Sequence, residues 1–205
     1  MCNRYQTAKD IERLRTIFGN APEEWLNGTD QKYDTVYPKS VVPVVLRVDG
    51  DEKYMQFRWG IHPVWAKTKS QILTNTKSEE VFTKPTWKTS FERRRCLMPA
   101  TAFYEPATVD GKKYQMRFEL KSGSAFAFAG LWEKSYDEGL NCCSLLTCEP
   151  NSLVGEIHGR MPLILPTELF DYYLSVPPDE VSDLKDILRP YPGEDMFGAF
   201  DPTST

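Results

Sequence analysis

Histidine is scarce in this 205-residue sequence: His62 and His158 are its only two, and no Cys-x-x-Cys pair accompanies them. Without closely spaced imidazole and thiolate donors nothing can nucleate a zinc site, so no metal and no cofactor are expected. Long hydrophobic runs are missing as well. None approaches the roughly 18 apolar residues that a membrane span requires, and no charged start followed by an apolar stretch and a small-residue cleavage site marks a secretion signal. The expectation is a soluble, monomeric, intracellular protein, cytoplasmic or nuclear, with no membrane contact. The five cysteines, Cys2, Cys96, Cys142, Cys143 and Cys148, are odd in number and lack a framework spacing, which predicts reduced thiols rather than disulfides.

What is present suffices for one core. The chain is 40% hydrophobic and 13% aromatic, which suits a single domain over 1–205. Its net charge of −4 argues against a nucleic-acid partner if taken alone, but the charge is uneven. From Arg58 to Arg95 there are nine basic side chains against three acids, a net of +6 that leaves −10 for the remainder. Trp59, Trp65, Phe82, Trp87 and Phe91 interleave with these charges. One segment therefore offers cations for phosphates and flat faces for bases, although a solvated face over core aromatics has the same pattern.

The apolar positions Ile11, Leu14 and Phe18 predict an amphipathic helix from Thr7, which caps it, to Phe18, ending at Gly19. Val41–Val48 is β-branched, Asp49-Gly50 is a hairpin turn signal, and Lys53–Trp59 alternates, so a hairpin is expected. Helical turns are expected at 78–82 and from Thr86 to Arg94 after Pro85. Strands are expected at 96–104, 113–120, 125–133, 141–147 and, briefly, 161–165, with terminal helices at 167–174 and 179–188. Rich in Pro and Gly, residues 190–205 read as an irregular tail. The class is α+β, a curved and largely antiparallel sheet with peripheral helices.

Chemistry-bearing residues stand at four places. A small residue after Met1 makes that methionine removable, and its loss would set the Cys2 α-amine, pKa about 7.7–8.0, beside a thiol of about 8.5. Such an aminothiol converts an aldehyde to an imine, which the sulfur closes into a five-membered thiazolidine. Asn75, ahead of Ser78-Glu79, can hydrogen-bond an amine or a sugar oxygen where a helix begins, though the same segment also reads as an N-cap. Glu105 follows Phe103-Tyr104 at an apolar strand end, where a carboxyl can be raised into the range of acid–base work. His158, in a turn before an apolar strand, suits proton transfer, whereas His62 between Ile61 and Pro63 reads as structural.

Met1-Cys2-Asn3-Arg4-Tyr5, Arg58-Trp59-Gly60 with Pro63-Val64-Trp65-Ala66, Asn75 with Ser78-Glu79, Arg94-Arg95-Cys96-Leu97 through Phe103-Tyr104-Glu105, and His158-Gly159-Arg160-Met161-Pro162 occur in this order. In order and spacing they resemble the SRAP family, the SOS-response-associated peptidase-like proteins linked to abasic-site processing, from Met1 to about Leu165. The resemblance implies a barrel-like curved β core ringed by helices, with a positively charged groove for single-stranded DNA. It implies that Cys2, freed of Met1, captures ring-opened abasic sites as a covalent thiazolidine crosslink in the DNA-damage response. Asn75 would orient the Cys2 amine or the sugar, Glu105 would shuttle protons, and His158 would assist opening of the deoxyribose ring. Arg4, Trp65, Lys77 and Arg160 would contact DNA.

Three positions depart from the family pattern: Lys77 stands where Arg is common, Pro106 where an aromatic commonly follows the glutamate, and Gly159 at a usually polar place. A Schiff base at C1′ also makes strand nicking by β-elimination accessible. Two rival expectations are a thiol peptidase, self-processing included, with Cys2 as nucleophile and His158 as base, and a module that binds single strands without covalent chemistry.

Overall fold

The structure, a computed structural model, describes residues 2–8, 10–27, 35–68, 70–135 and 139–201. The expected removal of Met1 and the cation Lys69 lie outside these residues.

Among the described residues thirteen strands and four α-helices follow in chain order: β1 (Tyr5–Gln6), α1 (Ile11–Arg15), β2 (Thr35–Val36), β3 (Val41–Val48), β4 (Asp51–Trp59), β5 (Asn75–Lys77), α2 (Pro85–Arg93), β6 (Arg95–Ala100) and β7 (Ala102–Val109). Then come β8 (Lys112–Leu120), β9 (Phe126–Glu133), β10 (Cys142–Cys148), α3 (Ser152–Gly155), β11 (Met161–Pro162), β12 (Ile164–Leu165), α4 (Phe170–Ser175) and β13 (Met196–Phe200). Short 3₁₀ turns fill several connections, among them Ser78–Glu80 and Val181–Ile187. The fold is α+β, and antiparallel pairing dominates its two sheets. In the larger sheet β10, β4, β3, β6 and β9 run side by side, and β9 pairs back onto β10 to close a ring. The smaller sheet has the order β13-β8-β7-β1-β2.

Local chemistry explains the hairpins. Asp49 and Gly50 both take positive φ, 51° and 86°, the backbone of the turn that matches strand twist between β3 and β4. Asp110 and Gly111 repeat it, at 50° and 74°, between β7 and β8. Pro85 opens α2 at its first turn, where a missing N–H costs nothing. The first helix is shorter than its apolar periodicity predicts. Asp10 caps it by accepting the Glu12 amide at 2.9 Å, because Thr7 is buried just past β1 and unavailable as a cap.

Two further expectations are corrected. The apolar run 96–104 is not one strand: Thr101 donates its amide to Gln6 O at 2.7 Å, and the chain leaves the ring after Ala100 to enter the smaller sheet at Ala102. The tail is not irregular throughout, since Met196–Phe200 pairs residue for residue with β8 from Leu120 back to Met116. Its two phenylalanines and Met196 supply the apolar side chains that make an edge strand worth pairing.

The core fills the ring and reaches the smaller sheet through Tyr5. Its ring meets Trp59 at 5.0 Å and Phe128 at 5.4 Å, edge-on in both cases, so β1 is anchored against β4 and β9. Among the described residues no cysteine forms a disulfide. Among the described residues no helix is long and apolar enough to cross a membrane, and no group of three or more His, Cys, Asp or Glu could hold a metal ion.

Candidate functional site

The site lies where β1 seats against β7. Pairing of Tyr5 with Phe103 continues one residue outward, with the Tyr104 amide donating to Arg4 O at 3.0 Å, which draws the chain start alongside Tyr104 and Glu105. Cys2 is fully buried there, and its thiol donates to the same Arg4 oxygen at 3.3 Å.

Asn75 arrives from the other sheet. Trp59, locked in the core, donates from Nε1 to Thr74 O at 2.9 Å, and β5 runs parallel to β10 with Asn75 opposite Leu145. These contacts aim Asn75 Nδ2 at the Cys2 carbonyl, 2.9 Å away, with Thr74 Oγ1 at the same distance. Asn75 Oδ1 is buried with no hydrogen-bond partner among the described residues, an acceptor held beside the Cys2 backbone.

Glu105 is buried completely, and His158 Nε2 stands 3.8 Å from its Oε2. Burial pushes the Glu105 carboxyl above its usual range, while the nearby His158 pulls it back. His158 sits one turn beyond α3, whose start is capped by Asn151 Oδ1 accepting the Val154 amide at 2.9 Å. Its Nδ1 is held by the Arg160 backbone, 3.1 Å from the amide and 3.0 Å from the carbonyl, which leaves Nε2 to face Glu105.

The thiol departs from the sequence expectation. Burial, and then the adjacent Glu105 carboxylate, pushes Cys2 up to about 12, against the opposing pull of its backbone hydrogen bonds. Burial thus disfavours the thiolate and leaves the sulfur less ionised at neutral pH than its position suggests. Desolvation of a charge by surrounding apolar groups outweighs what the local donors return.

The four residues expected to touch DNA are placed differently from one another. Arg4 pairs with Asp201 at 2.8 Å and lies 4.0 Å over the Tyr104 ring, on the sheet face opposite Glu105, since Tyr104 and Glu105 alternate along β7. Arg160 forms a two-pronged pair with Glu79, at 2.5 and 2.9 Å, and donates to Thr147 O at 2.7 Å. Against its own desolvation, this pairing holds the Glu79 carboxyl below the usual range. Lys77 is half exposed, 3.9 Å from Glu80. Trp65 is 56% exposed on a loop pinned by the Ile61–Leu73 bridge, and it borders a cleft of about 520 Å³ with Pro85, Thr89 and Arg94. None of Cys2, Asn75, Glu105 and His158 lines that cleft.

The basic, aromatic segment is split by folding. Trp59, Trp87 and Phe91 are buried and Phe82 packs partly into the core, so of its five aromatics only Trp65 presents an exposed face. Arg95 is buried too, donating to Tyr173 O and Phe91 O at 2.6 Å each and to Glu92 O at 2.9 Å, where it satisfies carbonyls at the ends of α2 and α4. Sequence reasoning missed Asp201, Thr147 and the partnership of Glu79 with Arg160. Only Glu79 carried a signal, its place in the Ser78-Glu79 motif.

Residues 1–199 match the family model described as SOS response associated peptidase (SRAP). The chain is 32% identical over 202 residues to the abasic site processing protein YoqW of Bacillus subtilis, covering 96% of this chain and 90% of the relative. It is 34% identical to the abasic site processing protein YobE of the same organism, with 96% and 92% covered. A 133-residue match at 29% identity to the abasic site processing protein YMR114C of Saccharomyces cerevisiae covers 62% of this chain and 36% of that one. The fold is shared with a crystal structure of a Bordetella bronchiseptica protein, at a TM-score of 0.82 and 24% identity over 98% of this chain and 99% of that one. It is also shared with one from Bacteroides thetaiotaomicron, at 0.81 and 22%, over 98% and 93%.

Proposed function

Since the chain belongs to the SOS response associated peptidase family, we propose that it processes abasic sites in DNA, and that Cys2, once Met1 is removed, is the residue that joins the sugar. The observation that carries this reading is the convergence of four separate chain segments. Asn75 Nδ2 holds the Cys2 carbonyl at 2.9 Å, and His158 Nε2 stands 3.8 Å from Glu105, whose charge acts on the Cys2 thiol.

In this reading the C1′ aldehyde of a ring-opened abasic deoxyribose condenses with the Cys2 α-amine. A C=N bond forms and water leaves. Glu105, its carboxyl raised by burial, carries the proton that the departing hydroxyl needs. His158, whose side chain is 25% exposed, exchanges that proton with solvent. The sulfur then adds to the imine carbon, its proton passes to the nitrogen, and the thiazolidine closes. Amine before sulfur is the order that the raised thiol supports, because the positive charge of a protonated imine beside Cys2 adds to the backbone hydrogen bonds in favouring loss of the thiol proton. Held partners replace a chance encounter in both steps. Lys77 and Trp65, both exposed, are the side chains of the expected set that meet the strand directly, while Arg4 and Arg160 act by holding β1 and His158.

The rival readings find less support. A thiol peptidase works with a thiolate beside an imidazole, whereas the Cys2 thiol bonds a backbone carbonyl and is raised. Binding by the aromatic segment alone loses the faces that are buried.

Mass spectrometry of the purified chain incubated with a short abasic oligonucleotide tests the proposal. The expected species lacks Met1 and is heavier by the oligonucleotide less one water, and Cys2→Ala does not form it. A stable adduct on Cys2→Ala, or an adduct on a chain that retains Met1, refutes the assignment.

A further inference from the structure

Strand register places Glu105 opposite Met116, and Met116 opposite Phe200, so the three side chains stand in one row on one face of the smaller sheet. Toward the core the next row is Phe103, Phe118 and Gly198, with the two rings stacked at 5.1 Å and a Cβ on Gly198 reaching within 2.9 Å of Phe118. Away from the core Ala107 faces Tyr114, and the Tyr114 and Phe200 rings lie 5.2 Å apart at 57°. This face therefore runs from dry aromatic packing, through Glu105, to an aromatic pair whose outer member is 53% exposed. Lys112, exposed, alternates onto the same face as Tyr114.

We propose that Tyr114 and Phe200 form a shelf on which the nucleobase next to the abasic nucleotide stacks, with Lys112 meeting the adjoining phosphate. The proposal rests on the reading of Cys2 and Glu105 given above, and it adds a base-binding site to it. An abasic nucleotide has no base of its own to stack, so stacking affinity must come from its neighbours in the strand. The shelf is continuous with the reacting centre: Phe200 lies two strands from Glu105, about 10 Å at the ordinary strand spacing, within reach of the next nucleotide of an extended strand. It joins a flat apolar surface to a cation, the pairing that single-strand recognition uses. Because Phe200 belongs to β13, this role also accounts for pairing the chain's last described strand onto β8.

The test uses an unreactive lesion, so that stacking is read apart from crosslinking. Two oligonucleotides carry a tetrahydrofuran residue with 2-aminopurine on one side of it or the other. The unmodified protein quenches 2-aminopurine in one of the two; Phe200→Ala loses the quenching and raises the oligonucleotide concentration for half-maximal binding at least about fivefold, while Phe200→Trp keeps both. Tyr114→Ala shows the same loss. Phe200 is half exposed, so its truncation leaves the core intact. Quenching that is absent in the unmodified protein, or unchanged in Phe200→Ala, overturns the proposal. So does a dimer that Phe200→Ala dissociates with quenching intact, which would assign the face to a second copy of the chain. Failure of the unmodified protein to crosslink a true abasic site would instead fall on the reading of Cys2, and the quenching would still decide the shelf.

Discussion

The raised Cys2 thiol can be tested without DNA. Iodoacetamide alkylates thiolates, and a thiol lifted to about 12 is ionised some 3.5 pH units later than an ordinary one at about 8.5. At pH 7 its thiolate fraction is lower by about 3,000-fold. The more basic sulfur is the better nucleophile, which returns about 30- to 50-fold, so alkylation should be slower by a factor on the order of 100. Burial alone also slows access of the reagent, so the level of the rate does not discriminate. The pH profile does. The rate at Cys2, followed by peptide mass spectrometry that resolves it from the other four cysteines, should climb about tenfold per pH unit through pH 9.5 with no plateau. Steric protection lowers such a curve without moving its bend, so a plateau near pH 8.5 would refute the argument. Glu105→Gln removes the second cause of the shift and should bring the bend to lower pH, a movement that steric shielding cannot mimic.

Two further substitutions bear on the frame of the site. Glu105 is raised in the folded chain, so the folded state holds its proton more tightly than the unfolded one and stability is lost as pH rises from the ordinary carboxylate range through the raised value. Glu105→Gln should therefore raise the thermal midpoint at pH 8 relative to pH 4 while slowing adduct formation; an unchanged difference between the two pH values would contradict the buried carboxylate. Asp201 pairs with Arg4 with only 6% of its side chain exposed, and Asp201→Asn should cost about 1.5–3 kcal/mol in urea unfolding, with slower crosslinking as β1 loosens. A midpoint equal to that of the unmodified chain would show that the pair does not hold the strand.

Much of the fold is legible within short windows. Val41–Val48 and Lys53–Trp59 around Asp49-Gly50 specify a hairpin through β-branched residues and a two-residue turn, and Pro85 specifies the start of α2. The second hairpin carries the same local mark, because Asp110-Gly111 repeats the Asp-Gly signal. The break at Thr101 carried no such mark. Its cause is a hydrogen bond to Gln6, 95 residues earlier, and no local propensity reports a partner at that distance.

The sequence by itself determined the hairpin geometry and the helix start, and its motif order singled out Cys2, Asn75, Glu105 and His158 as candidates. These rest on interactions between near neighbours and on residue chemistry, which a linear reading contains. Tertiary structure alone decided that the tail adds a strand, that Arg4 and Arg160 are held by Asp201 and Glu79, that most of the basic segment's aromatics are buried, and that burial raises the Cys2 thiol. Each of these depends on what is excluded from water and on which distant groups pack together, and desolvation is a property of the assembled environment rather than of any residue in the chain.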